Sequence, residues 1–564
     1  SDDFIDVNTA MEIAQREGAE AVVSGTIGPI GNGYVLTASM LAVHNGAELI
    51  KLSQTARSAD DIIDAVDQLS KDLRERIGES IKSIRSNEDL DRVTTSSLDA
   101  LRLYAEGRAA LDTGDYERAV TALEQAIEID STFAMAYRKI AVAYANAGQA
   151  LDLQVEAATR AFELRERLPR REQWMTEAYY HHSVTNDFDQ ALNTYLKIIE
   201  RYPNETTALN NITLILRPKQ QYAESEIFLE RALAIGSSNV YFGNMVDVLA
   251  AQKKWNRAAE VIADWETRIS GNVETQQARF MLAMIQGDYT AADSLLNYSS
   301  LSTGIIWKAR EEFDRMRLRE VTGKSADADR SALRSIDANL ARGASRSALN
   351  TYIDLAWRRY TYHEDKASAM DLLAEGLRRI PVEELPLLNR PYDQIAAFYG
   401  TVEEPELARK FWNLYLTKPE QFRRGDLVRH SFEASVLRSE GELTEALAIV
   451  RRGRALNECV ICGAYLHAEL LTQADSLDSA LAVYEEFQDF TPVYSSVFFA
   501  QLRPLAWLEM GELYSRTGQT DRAIDAYSNF VDMWEEADAS LQPKVRYARS
   551  RIERLLVQSV REPE

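Results

Sequence analysis

Trp507-Leu508-Glu509-Met510-Gly511-Glu512-Leu513-Tyr514, then Gly518-Gln519, then Ala523, Tyr527 and Phe530, is the stretch that decides the fold. Its large residues recur at intervals of three and four, the spacing of one helix face. Gly518-Gln519 breaks the run with a turn, and a second helical run follows at once. Small residues at Gly511 and Ala523 let two antiparallel helices approach. Trp507, Tyr514 and Tyr527 fill the space around that contact. The segment reads as one helical hairpin, a unit that packs only on its neighbours in an array.

The same grammar recurs along the chain. Gly107, Gly114-Asp115-Tyr116, Ala119 and Ala126 mark one unit. Ala141, Tyr144 and Gly148 mark the next, with an expanded turn expected near Ala150–Gln154. Asp187-Phe188 with Ala191, Gln221-Tyr222 with Leu229, Lys254-Trp255 with Ala258, and Gly287-Asp288-Tyr289 with Ala292 continue the series. Gly441-Glu442-Leu443 with Ala446, and Ser476-Leu477 with Ala480, fit again. Between about 300 and 425 helical periodicity persists while the signature degrades. The spacing resembles the tetratricopeptide repeat, Trp-x2-Leu-Gly-x2-Tyr followed by Ala and an aromatic. That resemblance implies a mostly α fold, a right-handed superhelical solenoid whose first helices line a concave groove. Such a groove is the usual seat of a peptide or a partner's helix.

Residues 1–88 read differently. A short helix is expected from Val7 to about Gly18, then strands at Ala21–Ile27, Tyr34–Val43 and Glu48–Thr55. Gly31-Asn32-Gly33 and Asn45-Gly46 supply the positive φ of tight hairpins. Helical spacing returns over Asp60–Ile84, with Ser58 or Asp60 as the expected cap. The order is α-β-β-β-α, a small α/β module that lacks a first strand, so one sheet edge is expected to be open or paired elsewhere. The expected organisation is the α/β module at 1–88, repeats at 95–300, divergent repeats at 301–425, repeats at 426–535 and a capping helix with tail at 540–564. The open edge and the long array also raise self-association, by edge pairing or end-to-end stacking.

Charge excludes some functions. The 564 residues carry a formal charge of −23. Phosphate backbones and anionic membrane surfaces need a Lys/Arg surplus, so neither nucleic acid nor lipid headgroups are expected partners. No apolar run has the length of a spanning helix.

Beyond the repeats, several stretches resemble the C-terminal part of bacterial eukaryotic-like serine/threonine kinases and their kinase-less relatives. They are Ala19-Glu20-Ala21-Val22-Val23-Ser24-Gly25, Leu73-Arg74-Glu75-Arg76-Ile77-Gly78-Glu79-Ser80 and Thr94-Thr95-Ser96-Ser97-Leu98. Asp478-Ser479-Ala480-Leu481-Ala482-Val483-Tyr484-Glu485 and Leu541-Gln542-Pro543 complete the set. The front module resembles the TolB N-terminal-like domain of those architectures. The resemblance implies an extracytoplasmic sensory or scaffolding role in a bacterial envelope. The chain has no Val-Ala-Ile-Lys, His-Arg-Asp or Asp-Phe-Gly, so kinase activity is not carried over.

Candidate chemistry is sparse. Cys459 and Cys462 form Cys-Val-Ile-Cys, a spacing open to a local disulfide, buried thiols, half a zinc site or a redox pair. His467 is the one nearby further ligand, and it sits at a packing position. His181-His182 are adjacent on a helix and point about 100° apart, so they do not chelate together. No cofactor or metal is expected, and no catalytic residue. Groove-facing positions counted along first helices are Tyr104, Arg108, Arg138, Thr176, Tyr180, Asn210 and Asp247. Arg108 and Arg138 are the candidates for a carboxylate on a bound peptide. The expected function is a non-enzymatic scaffold or sensory module for a protein or peptide. The alternatives are a receptor for a glycan or other small ligand, and a self-assembling structural protein. Clustered Trp and Tyr in the groove favour glycan; a polar, charged groove favours peptide.

Overall fold

The computed structural model describes residues 21–77, 95–269, 271, 273–302, 304–423, 426–455, 463–489 and 501–561, with Val7, Ala10, Met11 and Ala14. Most of the expected first helix and both cysteines lie outside the described residues. The chain divides into two compact units. The first is Ser1–Ala143 with Gln154–Ser183, and the second is Tyr144–Leu153 with Val184–Glu564.

The first unit opens on an antiparallel sheet in the order β1-β2-β3, with β1 Ala21–Ile30, β2 Gly33–Ala42 and β3 Glu48–Ala56. Gly31, at φ 59°, turns β1 into β2. A register shift at Met40/Leu41 adds one residue to β3. The helix Ile62–Arg76 packs Ile62, Ala65 and Leu69 on Leu36, Ala38 and Ala56. Neither expected cap serves this helix. Its N-cap is Asp61, whose carboxylate turns back to accept from the Ser58 backbone N–H and hydroxyl at 3.0 and 2.9 Å. Val23 and Ile27 pair with Met40 and Leu36, so they share the helix-bearing face. They stay 54% and 55% exposed, because the helix covers the β2–β3 half.

Helical hairpins follow in both units. In the first unit these are Leu98–Asp112 with Tyr116–Ile129, the parts of helices Ala134–Ala147 and Leu151–Glu163 that fall within it, and Arg170–Tyr180. A short motif joins first helix to second: one residue in the left-handed region, then an Asp N-cap. Asn186, at φ 53°, precedes Asp187, and Glu364, at φ 58°, precedes Asp365. The Asp carboxylates accept from Gln190 N and Ser368 N at 2.9 and 3.0 Å. Asp115 and Asp288 repeat the arrangement. This explains the Gly-Asp pattern of the sequence: each Asp satisfies an orphan N–H of the second helix. The turn expected to be expanded near Ala150–Gln154 is compact instead, since the second helix already begins at Leu151.

Close approach fixes the helix pairs. A Cβ added at Gly511 would stand 2.6 Å from the Tyr527 ring, so the small residue lets Arg503–Arg516 lie on Thr520–Trp534. The stretch where the signature degrades is regular in another way. Ile305–Val321, Ser325–Ala341, Ser345–His363 and Lys366–Arg379 are long helices joined by tight turns at Gly323, Gly343 and Glu364. Helices of 17 and 19 residues stretch the repeat beyond its usual period and displace the signature positions.

Long-range contacts tie the second unit to itself. The N–H of Leu151 donates to Asn389 Oδ1 at 3.0 Å across 238 residues. Asn186 Nδ2 reaches the Gln421 carbonyl across 235, and Lys253 Nζ the Asp489 carbonyl across 236. The offset is nearly constant, and each bond joins the turn of one hairpin to the junction between two later ones. Nearer the C-terminus, Trp534 is fully buried and its Nε1 donates to the Val321 carbonyl at 3.2 Å. Asp538 N donates to the Gly323 carbonyl at 3.0 Å, and Ala326 N to Asp538 Oδ2 at 2.8 Å. Gly323 is required there twice over. Its φ is +70°, and an added Cβ would lie 2.6 Å from the Ala537 Cβ.

Candidate partner-binding face

First helices of successive hairpins meet along one face, and polar side chains bridge them there. In the first unit Arg138, on Ala134–Ala147, pairs with Glu172 on Arg170–Tyr180, 34 positions on. Burial pushes the Glu172 carboxyl up, but Arg138 and Arg171 more than offset it and leave the group below its ordinary range.

The second unit carries the longer series. Tyr241 Oη donates to Thr206 Oγ1 at 3.0 Å, and Asn244 Nδ2 to Asn210 Oδ1 at 2.8 Å, spans of 35 and 34 residues. Arg217 Nη1 donates to Asn244 Oδ1 at 2.6 Å and also pairs with Asp247. Gln277 Nε2 donates to Asp314 Oδ2 at 2.9 Å and Arg317 Nη2 to Asp354 Oδ2 at 2.8 Å, each spanning 37 residues. Arg358 pairs with Glu320 across 38 residues and Arg438 with Glu469 across 31. Each span is close to one repeat, so each bond joins a position to its counterpart in a neighbouring unit. Burial lifts the Asp314 carboxyl to about 6 although Tyr298 and Gln277 hydrogen-bond to it. Burial lifts Asp354 to about 6 as well, against the pull of Arg317.

The expected groove residues fare unevenly. Arg108 is exposed. Tyr104 is not a groove residue: it is buried and its ring stands 5.0 Å from Phe133. Arg138 is also buried, and Glu172 already takes the role assigned to an incoming carboxylate. Thr176 is buried, with a hydroxyl that finds no hydrogen-bond partner among the described residues. Tyr180 stacks on Phe162 at 4.0 Å, and Arg165 covers the other ring at 3.9 Å. Asn210 is buried within the bonded series and Asp247 takes part in it through Arg217. Counting along single helices missed Glu172, Arg217, Asn244 and the Arg317–Glu320–Arg358 group. The signal that finds them is polar complementarity one repeat apart.

The other candidates resolve in part. Cys459 and Cys462 lie outside the described residues. His467 is 8% exposed, and among the described residues neither ring nitrogen has a hydrogen-bond partner; burial, with Arg454 and Arg451, takes it down to about 4. His182 is also lowered by burial, and the His181 ring meets Phe162 edge-on. Among the described residues no three metal-ligating side chains gather, and no helix is long and apolar enough to cross a membrane.

The geometry is that of stacked helical hairpins, and family comparison agrees. A TPR repeat model matches residues 107–148, and a tetratricopeptide repeat model matches residues 171–205 and 505–537. Those segments are tetratricopeptide repeats. No curated protein matches the sequence. Among solved structures, a tetratricopeptide repeat protein from Parabacteroides merdae is similar at 14% identity and a TM-score of 0.28 over 50% of this chain and 100% of that one. Yeast Tom70 is similar at 13% identity and a TM-score of 0.29 over 82% of this chain and 99% of that one.

Proposed function

We propose that the chain is a non-enzymatic scaffold that holds a protein or peptide partner against the face where its first helices meet. The repeat architecture carries this reading. The bonded series ties one first helix to the next, and a face built of amides, guanidinium groups and carboxylates suits a polypeptide's backbone and charged side chains better than the aromatic surfaces that hold sugars. Tetratricopeptide arrays serve as interaction folds, and the resemblance to the part of kinase-type sensors that lies outside the membrane supports a partner outside a bacterial membrane. In that setting the chain acts as a sensory or envelope-assembly component.

A photocrosslinking residue at Asn211 or Asn244, both on first helices, tests the reading. The control site is Glu230, exposed on the second helix Tyr222–Ile235. Capture of one protein from the two first-helix positions and not from Glu230 is the expected outcome. Capture from Glu230 alone, or from none of the three, refutes it.

A further inference from the structure

The sheet of the first unit has two outer strands, and they are built differently. On β3 Glu48 and Lys51 put charges at the edge, paired at 3.3 Å. The register shift at Met40/Leu41 interrupts the ladder beside them. Charges and bulges are what keep an edge strand from pairing with another chain. β1 has neither. Residues 21–47 contain no Asp, Glu, Lys or Arg, in a chain of which 27% is charged. Among the described residues no strand lies on the outer side of β1.

The uncovered half of the helix-bearing face belongs to the same strand. Leu36 and Ala38 on β2 are buried in the cluster under helix Ile62–Arg76, whereas Val23 and Ile27 on β1 stay open to solvent. The strand is also complementary to itself. Turned about Gly25, the order Ala21-Val22-Val23-Ser24-Gly25-Thr26-Ile27-Gly28-Pro29 sets Val23 opposite Ile27 of an antiparallel copy. It sets Ser24 opposite Thr26, and Gly25 opposite itself. Pairs of β-branched residues, and Ser–Thr pairs, favour an antiparallel ladder. Other registers lose this match. A shift of one residue turns the copy over and puts Val23 against Thr26. A shift of two puts Val23 against Gly25 or Pro29.

We propose that β1 is an interface between two copies of this chain, paired antiparallel about Gly25. The two sheets then run on as one, with both Ile62–Arg76 helices on the same face and Val23 of each copy beside Ile27 of the other. Charge selects the occupant. Two copies of formal charge −23 repel over most of their surface, and the stretch 21–47 lets them meet without setting like charges together. An extended segment of another protein would gain the same backbone bonds, but the self-complementary order about Gly25 would serve nothing. A single strand edge buries less area than a permanent dimer needs, so the association depends on concentration. Such pairing is independent of the partner-binding face on the repeats.

Sedimentation velocity of the full chain over a wide concentration range tests it. A dimer should grow with concentration, and more strongly as salt screens the net charge. Ile27→Lys should weaken dimerisation by about tenfold or more. Ile227→Lys, at a 58% exposed isoleucine on helix Tyr222–Ile235, should leave it unchanged. A crosslink decides where Ile27→Lys fails to fold. In a chain carrying Cys459→Ser and Cys462→Ser, Gly25→Cys meets its own counterpart across the pairing and should form a disulfide-linked dimer on oxidation. The site accepts a side chain, because a Cβ there stands 3.8 Å from the Thr37 carbonyl oxygen, an ordinary contact. Gly28→Cys also has open space but lies opposite Val22, so it should crosslink far less. A monomer at every concentration, a dimer that Ile27→Lys leaves intact, or equal crosslinking from the two cysteine variants overturns the proposal.

Discussion

Trp534→Ala tests the long-range packing of the second unit. The indole is fully buried and stands edge-on to Tyr362, ring centroids 5.0 Å apart. Its Nε1 serves the Val321 carbonyl, which ends the helix Ile305–Val321 and lacks a partner four residues on within that helix. Removing a buried Trp costs about 3–5 kcal/mol through lost contacts and the cavity left behind. Leaving a carbonyl unserved adds roughly 1 kcal/mol or more. The total is comparable with the stability of a few repeats, yet a melting curve reads it poorly, because repeat arrays unfold piecemeal. Hydrogen exchange is the suitable assay. The amides of Ala326 and Asp538, which bond across this contact, should exchange faster in the variant. Amides of helix Tyr116–Ile129, in the other unit, should keep wild-type rates. Trp534→Phe keeps an aromatic ring and loses the donor, so its effect should be smaller. If Trp534→Ala leaves Ala326 and Asp538 at wild-type rates, the C-terminal hairpin is not docked on residues 305–363 in solution and the reasoning fails.

Three further outcomes are expected. Burial, helped by Glu469 and Glu512, lifts the Glu509 carboxyl to about 7. Its folded value lies above the unfolded one, so the fold binds the extra proton and stability falls as pH rises from about 4.5 to 7. Glu509→Gln should flatten that fall and slow exchange of the amides of helix Arg503–Arg516 relative to the wild type at pH 8 but not at pH 4.5; an unchanged pH profile contradicts it. Gly511→Ala should destabilise by about 1–3 kcal/mol through overpacking on Tyr527, whereas Gly28→Ala, with open space around it, should stay within about 0.5 kcal/mol; chemical denaturation compares them. Arg358→Met leaves the 1%-exposed Glu320 with one fewer counter-charge, and breaking such a pair costs about 3–5 kcal/mol. Protection of helix Ile305–Val321 against exchange should drop, and full protection would show that Arg317 alone suffices.

The hairpins were legible because their cause is local. Gly511 and Ala523 report helix approach, and Asp115, Asp187 and Asp288 mark second-helix starts one residue after a left-handed turn. The strands were legible through alternation and the Gly31-Asn32 turn. The Ile62–Arg76 cap was missed because Ser58 and Asp61 bond to each other rather than to the helix. The partner-binding face was harder still. A helix-by-helix count asks which way a side chain points, and not whether a neighbour one repeat on already occupies it. Arg138 looked available for that reason, and Glu172 takes it. The contacts at Trp534 and Gly323 depend on residues more than 200 positions apart, as with Trp534 and Val321 at 213, and no local pattern encodes them.

Those distant contacts change how the array should behave. A solenoid held only by nearest neighbours responds locally, since each interface adds its own term. In the second unit Leu151, Asn186 and Lys253 each reach a loop some 235 residues later. A hairpin there cannot open without giving up contacts to a distant repeat as well as to its neighbours.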